Sequence, residues 1–157
     1  MSLIEDIDKF DGCWFLKFIL AKYDWNVNCI DEYGKAPIHV ACNLKNYNEV
    51  VRLLIRHGAN VNVADANKYT PLHISTLLQK HDLTELLLEN DANPDVIDKF
   101  GCSPIMNACM HDDVELTKML INYGAHVDLP KLMKIASSNE SSQMISYLEN
   151  YSQEYNT

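Results

Sequence analysis

The stretch Tyr69-Thr70-Pro71-Leu72-His73 recurs in altered form on both sides of itself, and this recurrence decides the fold. It returns upstream as Lys35-Ala36-Pro37-Ile38-His39 and downstream as Cys102-Ser103-Pro104-Ile105-Met106, at spacings of 34 and 33 residues. A period of this length is typical of stacked repeats. A threonine or serine before the proline can cap a helix, and proline suits the first helical position because its missing amide hydrogen is not needed there. The pattern therefore predicts a helix at each of the three prolines.

Three complete units lie between two incomplete ends. The complete units are residues 31–64, 65–97 and 98–130. Each has a turn beginning at an aspartate, a short helix after the proline, and a second helix whose apolar residues fall at helical spacing. Residues 1–30 read as a partial repeat that caps one end, and residues 131–157 as capping helices with a frayed tail from residue 152 onward. We expect all five segments to form one domain.

The middle unit departs from its neighbours at two positions that favour glycine. In the first unit Gly34 lies in the turn and Gly58 ends the second helix, where a left-handed backbone is needed. The middle unit has Lys68 and Asp91 in these places, and we expect it to be the least stable of the three. We place its second helix at residues 83–90. The first unit has one residue more than the others, which we place between its helices.

Charge and cysteine content restrict the class of protein. The net charge is −9, from 22 acidic and 13 basic residues. A nucleic-acid or anionic-membrane partner would need a basic footprint, so we expect neither. The chain has 5 cysteines and no C-x-x-C pair, which favours free thiols in a reducing compartment. We expect a cytoplasmic or nuclear protein that is a monomer when unbound.

The units resemble the ankyrin repeat, whose pattern runs D-x-x-G-x-T-P-L-H-x-A-A, then a leucine-rich helix, then G-A-D-V-N. The resemblance covers about residues 15–130 and implies an all-α solenoid of paired antiparallel helices joined by β-turn loops. A partial N-terminal repeat and a C-terminal capping repeat would close its ends. It also implies a protein that binds another protein, with no catalytic residue, no cofactor and no metal.

The resemblance identifies the turn tips and the first helices as the positions that contact a partner. Several of these positions carry apolar side chains where water is expected, which is typical of a protein-binding site. Leu77 or Leu78 packing inward is the alternative. The candidate binding residues, which we call the partner surface, are Tyr33, Lys35, Leu44, Asn67, Tyr69, Leu77, Leu78, Lys99, Phe100, Met110 and His111.

The resemblance also assigns structural roles to residues that otherwise suggest chemistry. His39 and His73 are expected to bridge backbone groups of neighbouring turns. The recurring aspartates are expected to shape turns, and Cys42 and Cys109 to be small buried residues. Cys102 is expected near a turn tip, exposed, as a candidate for redox sensitivity. Asparagines at the positions of Asn28 and Asn62 can be hydroxylated in similar ankyrin proteins.

Three function classes remain open from the sequence. The first is an inhibitor that masks its target, similar to the IκB proteins. The second is an adaptor that links a target to another assembly through a Ser- and Tyr-rich tail, residues 137–157. The third is an enzyme, which the lack of a phosphate loop, a nucleophile elbow and a convergent pair of carboxylates disfavours.

Overall fold

The computed structural model describes residues 26–155, except for the side chain of residue 155. The predicted partial repeat up to residue 25 lies outside that range. The described part of the chain is all-helical, without a β-strand, which confirms the predicted fold class. Its helices are α1 (Pro37–Ala41), α2 (Tyr47–Arg56), α3 (Pro71–Leu77), α4 (His81–Leu88), α5 (Pro104–Met110), α6 (Val114–Asn122), α7 (Leu129–Ser138) and α8 (Ser142–Tyr155).

The first helices α1, α3 and α5 begin at the three prolines, as predicted, but their caps differ. Thr70 caps α3, because its hydroxyl accepts the backbone amide of His73 at 3.4 Å. The prediction that Ser103 does the same for α5 is wrong, since its side chain makes no capping hydrogen bond. The proline and the turn before it are therefore enough to set the start of the helix.

The helices stack in two rows, and each repeat contributes large, fully buried side chains to both rows. Each of the helices α1, α3, α5 and α7 packs on the next one, and the second helices pack against them. The first-helix row buries Ile38, Leu72, Ile105 and Leu132, and the second-helix row buries Leu54, Leu87, Leu120 and Leu148. Burying a side chain of this size contributes about 1.5–3 kcal/mol to the free energy of unfolding. Because these side chains are buried between adjacent repeats, each repeat is stabilised by its neighbours.

The extra residue of the first unit lies between its helices, as predicted. The linker Cys42–Asn46 is longer than its counterparts, Leu78–Lys80 and His111–Asp113. Lys80 secures it: its ammonium donates to the carbonyls of Cys42 at 2.7 Å and Leu44 at 3.2 Å. Because the middle linker is short, α4 begins at His81 and ends at Leu88, and our placement at residues 83–90 was too late.

Lys68 and Asp91 keep the backbone that glycine has in the other units. Their φ angles are +61° and +63°, and those of Gly34 and Gly58 are +72° and +82°. A residue with a side chain is disfavoured there by roughly 1–2 kcal/mol. The repeat geometry thus holds Lys68 and Asp91 in an unfavourable conformation.

The C-terminal segment consists of two packed helices. The side chain of Asp128 caps α7 by accepting the backbone amide of Lys131 at 3.2 Å. The helix therefore begins without the aspartate turn that precedes α1, α3 and α5. Met144 in α8 is fully buried. The helix α8 continues to Tyr155, so the prediction of a frayed tail from residue 152 is wrong over residues 152–155.

Candidate functional site

The turns that present the partner surface are held by the recurring aspartates. One carboxylate oxygen of each aspartate accepts two backbone amides from its own turn, at 2.8–2.9 Å. This confirms that the aspartates shape turns. The pairs are Asp31 with Tyr33 and Lys35, Asp65 with Asn67 and Tyr69, and Asp98 with Phe100 and Cys102.

Main-chain hydrogen bonds join one turn to the next. The amide of Ala66 donates to the carbonyl of Tyr33 at 3.0 Å, and the amide of Lys99 donates to the carbonyl of Asn67 at 3.0 Å. The three turn tips therefore form one continuous edge. Partner-surface residues of different units are brought together along it.

The two histidines connect first helices to the following turns, as the resemblance implied. Nδ1 of His39 accepts the amide of Ala36 at 3.0 Å, and its Nε2 donates to the carbonyl of Tyr69 at 3.0 Å. His73 makes the equivalent bond to the carbonyl of Cys102 at 3.2 Å. Burial lowers the pKa of both imidazoles, because water is no longer present to solvate the charged form. Both histidines thus hold neighbouring turns together, and they do so in the neutral form.

Asn28 and Asn62 each bind the backbone that follows the second helix of the next unit, α2 or α4. The Nδ2 of Asn28 donates to the carbonyl of Gly58 at 2.9 Å, and its Oδ1 accepts the amide of Asn60 at 2.7 Å. Asn62 makes the matching bonds to the carbonyl of Asp91 and the amide of Asn93. Both side chains are exposed, yet both ends of each amide are engaged in holding the repeats together.

The turn-tip residues of the first and third units project into solvent. Tyr33 is 62% exposed and Phe100 is 68% exposed. The ammonium of Lys99 lies 5.0 Å from the centre of the Phe100 ring and also donates to the side-chain oxygen of Asn67. Lys35 is exposed as well. The turn tips of these two units combine exposed aromatic rings with lysine side chains.

Tyr69 is only half-exposed, and its ring packs against a residue that holds the repeats together. Its ring makes an edge contact with the His73 ring at 5.9 Å between centres. Burial, followed by the nearby carboxylate of Asp98, raises the pKa of its phenol. Tyr69 therefore has a scaffold role in addition to the contact role predicted for it.

The first-helix members of the partner surface differ in exposure. Leu78 is 44% exposed and Met110 is 41% exposed, and His111 is also exposed. Leu44 and Leu77 are half-buried. Of the two leucines considered for inward packing, Leu78 thus faces solvent, and Leu77 is half-buried.

Sequence reasoning left several exposed residues off the surface. Ile97 is 53% exposed and directly precedes the turn aspartate Asp98. Its counterpart before Asp31 is Ile30, a turn position of the first unit that is 64% exposed, and this shared position was the available signal for Ile97. Lys131 and Lys134 on α7 were also missed, because the capping segment lacks the turn that sets the register elsewhere.

Cys42 and Cys109 are buried, as expected, whereas Cys102 is less exposed than expected. Burial raises the pKa of Cys42 to about 12 and that of Cys109 to about 11. The expectation that Cys102 is exposed is wrong, because it is half-buried. Burial and the adjacent Asp98 carboxylate raise its thiol pKa, which disfavours the reactive thiolate.

Two kinds of site are not found in residues 26–155. No group of three or more His, Cys, Asp or Glu side chains in this range is placed to hold a metal ion. No helix in this range is long and apolar enough to cross a bilayer.

Comparison with known proteins agrees with the geometry. The family model described as ankyrin repeats (3 copies) matches residues 9–98 and 79–157. The chain is 41% identical over 59 residues to the target of rapamycin complex 2 subunit AVO2 of Saccharomyces cerevisiae. It is 44% identical over 46 residues to the transient receptor potential cation channel subfamily A member 1 of Homo sapiens.

Both similarities are partial. They cover 38% and 29% of this chain, but only 14% and 4% of those two proteins. The family model, by contrast, spans most of the chain and includes every helix described above. The repeated aspartate turns, proline-initiated helices and bridging histidines lie at its repeat period, and the chain belongs to the ankyrin-repeat family of protein–protein interaction modules.

Proposed function

We propose that the chain binds one protein partner through the partner surface, without catalysis, and acts as an inhibitor that masks its target. In this respect it would be similar to IκB-like inhibitors. The partner surface supports the inhibitor role, because the similarity to the IκB proteins is limited to the repeat pattern.

The exposure of large apolar side chains on a fixed frame carries this proposal. Tyr33, Leu78, Phe100 and Met110 are each at least 41% exposed, at positions that the repeat leaves variable. The aspartate, histidine and main-chain bonds hold the backbone beneath them. Less conformational entropy is lost on binding when the surface is already ordered, so such residues suit a tight complex.

Continuity along the turn tips supports a single partner. The main-chain hydrogen bonds of the Ala66 amide to the Tyr33 carbonyl and of the Lys99 amide to the Asn67 carbonyl join three consecutive turns. A partner that lies along this edge would cover Tyr33 and Phe100 together. Covering a target over that length is how a protein without chemistry of its own can block the target's other contacts.

An adaptor is the second candidate, and the capping helices favour it. A cavity of about 540 Å³ is lined by Leu129, Met133, Leu148, Glu149, Ser152 and Gln153. None of these residues belongs to the partner surface. A second protein bound there would leave the turn tips free, which an adaptor requires.

Capture with a tagged copy of the chain from its source cell separates the two roles. One stoichiometric partner, whose activity falls as the chain is added, supports the inhibitor. Two partners that dissociate independently support the adaptor. Glu149→Arg/Gln153→Arg, at two exposed positions, should release one partner of an adaptor and leave an inhibitor unaffected. Truncation at residue 151 is a poorer test, because it would shorten α8.

We also propose that the protein works in the cytoplasm or nucleus. The four described cysteines are all free thiols, as a reducing compartment would keep them. A fluorescent fusion imaged in the source cell tests this, and accumulation in a secretory compartment would contradict it.

A further inference from the structure

A cleft between α5 and α7 continues the partner surface. Its lining consists of Met110, Lys131, Lys134, Ile135, Ser138 and Asn139, and its volume is about 360 Å³. Met110 belongs to the partner surface, so the cleft opens directly beside it. The Nδ2 of Asn139 donates to the carbonyl of Met110 at 2.8 Å, which fixes the spacing of the two helices. The cleft is thus built into the stack.

The charge of the cleft is opposite to that of the chain. The sequence has 22 acidic and 13 basic residues, yet both charged residues in the lining are lysines. Lys134 has no ion pair or hydrogen bond from its ammonium within residues 26–155. Lys131 donates to the carbonyl of Gly101 at 3.2 Å, which is a neutral group. Neither ammonium forms an ion pair with a carboxylate of residues 26–155.

Between the lysines the cleft is apolar. Met110 is 41% exposed and Ile135 is half-buried, so both retain surface for another molecule. The flexible thioether side chain of methionine adapts to differently shaped apolar groups and is common at binding surfaces. This volume is near the lower limit for pockets that bind small molecules, and it is large enough for one inserted side chain.

We propose that the cleft binds an acidic segment of the protein partner. One apolar side chain of that segment inserts between Met110 and Ile135, and flanking carboxylates lie against Lys131 and Lys134. Complementary charge accelerates encounter and sets the orientation of the bound segment. This inference rests on the proposed function, because it names the chemistry of the partner that the surface recognises.

Affinity selection from a random library of 12-residue peptides tests the inference on the full chain. Enriched peptides should have an excess of Asp and Glu close to a large apolar residue. Lys131→Glu/Lys134→Glu should weaken their binding about tenfold or more, and added salt should weaken their binding to the wild type. Peptides with Lys in place of Asp and Glu should regain binding to that variant.

Arg52→Glu/Arg56→Glu is the matched control. Both arginines are exposed on α2, outside the cleft, and the substitutions change the net charge by the same amount. This variant should bind the enriched peptides like the wild type, and thermal unfolding of both variants reports whether they fold.

Each other outcome overturns the inference in a distinguishable way. Enriched peptides without acidic residues that lose binding in Phe100→Ala would leave the proposed function standing and remove the cleft from it. No enrichment at all would contradict both. Binding to phosphatidylserine vesicles, lost in Lys131→Glu/Lys134→Glu while acidic peptides are ignored, would assign the cleft to a membrane surface.

Discussion

The imidazole of His39 donates a hydrogen bond to the backbone carbonyl of Tyr69 over 3.0 Å, so the first helix of one repeat holds the turn of the next. His73 holds the turn at Cys102 in the same way. The residue that precedes each helix cap is therefore fixed in place through its backbone. This leaves the side chains beside it, Phe100 among them, available for contact.

Stability should decrease in mild acid because of these two histidines. Their folded-state pKa values lie below the unfolded value of about 6.5, so the unfolded chain binds more protons. The contribution of the two histidines to the free energy of unfolding is then greatest above pH about 6.5, and it is lost as the pH drops through the folded-state pKa. Urea denaturation at pH 7.5 and pH 5.5 measures it. His73→Met, which copies Met106 of the third unit, should reduce the difference between the two pH values; an unchanged difference would rule out His73 as a source.

Glycine in the middle unit should stabilise the protein. Lys68→Gly and Asp91→Gly each relieve a left-handed backbone, and they keep the main-chain bonds made there. We expect each to raise the free energy of unfolding by about 1 kcal/mol, as measured by urea denaturation. Gly34→Ala is the opposite control and should destabilise, since its new Cβ would lie 3.1 Å from the amide nitrogen of Ala66. A loss of stability in both glycine variants would refute the argument from backbone strain.

Asn107 should be replaceable by an apolar residue with a gain in stability. It is 1% exposed, and its Nδ2 has no hydrogen-bond partner among residues 26–155. A buried donor without a partner costs about 1–3 kcal/mol, and leucine branches at the same carbon as asparagine. Asn107→Leu should therefore raise the free energy of unfolding by roughly 1 kcal/mol. Thermal and urea unfolding check this, and a lower midpoint in both would show that the amide is needed.

The sequence predicted the repeat frame because the same chemistry recurs in each unit. Proline at the start of the helix, aspartate at the turn and histidine between turns each act over a few residues or across one interface, so their period reveals their role. The left-handed backbone at Lys68 and Asp91 was visible only by comparison with Gly34 and Gly58. A single unit would not have shown it.

The binding surface was harder to predict, because exposure depends on how neighbouring helices pack. Tyr69 contacts His73, and Leu77 is half-buried, although both occupy variable positions. The cleft beside Met110 depends on the register of α7, which Asp128 sets without a turn. The spacing of Leu132, Ile135 and Ala136 does indicate this helix, but the segment lacks the turn that marks the surface positions of the other units. Lys131 and Lys134 were therefore not included in the predicted surface.

The central claim is that exposed turn-tip aromatics bind the partner without stabilising the fold. Tyr33→Ala and Phe100→Ala test this claim better than Tyr69→Ala, because Tyr69 also contacts His73. Tyr123→Ala is the matched control, because Tyr123 is 40% exposed at the end of α6, outside the partner surface.

The most direct measurement is the dissociation constant of each variant for the captured partner, together with its free energy of unfolding. Phe100→Ala and Tyr33→Ala should each weaken binding by about 1–2 kcal/mol and change stability by less than about 0.5 kcal/mol. Tyr123→Ala should change neither. Wild-type affinity in both turn-tip variants, or a loss of affinity matched by an equal loss of stability, would contradict the claim.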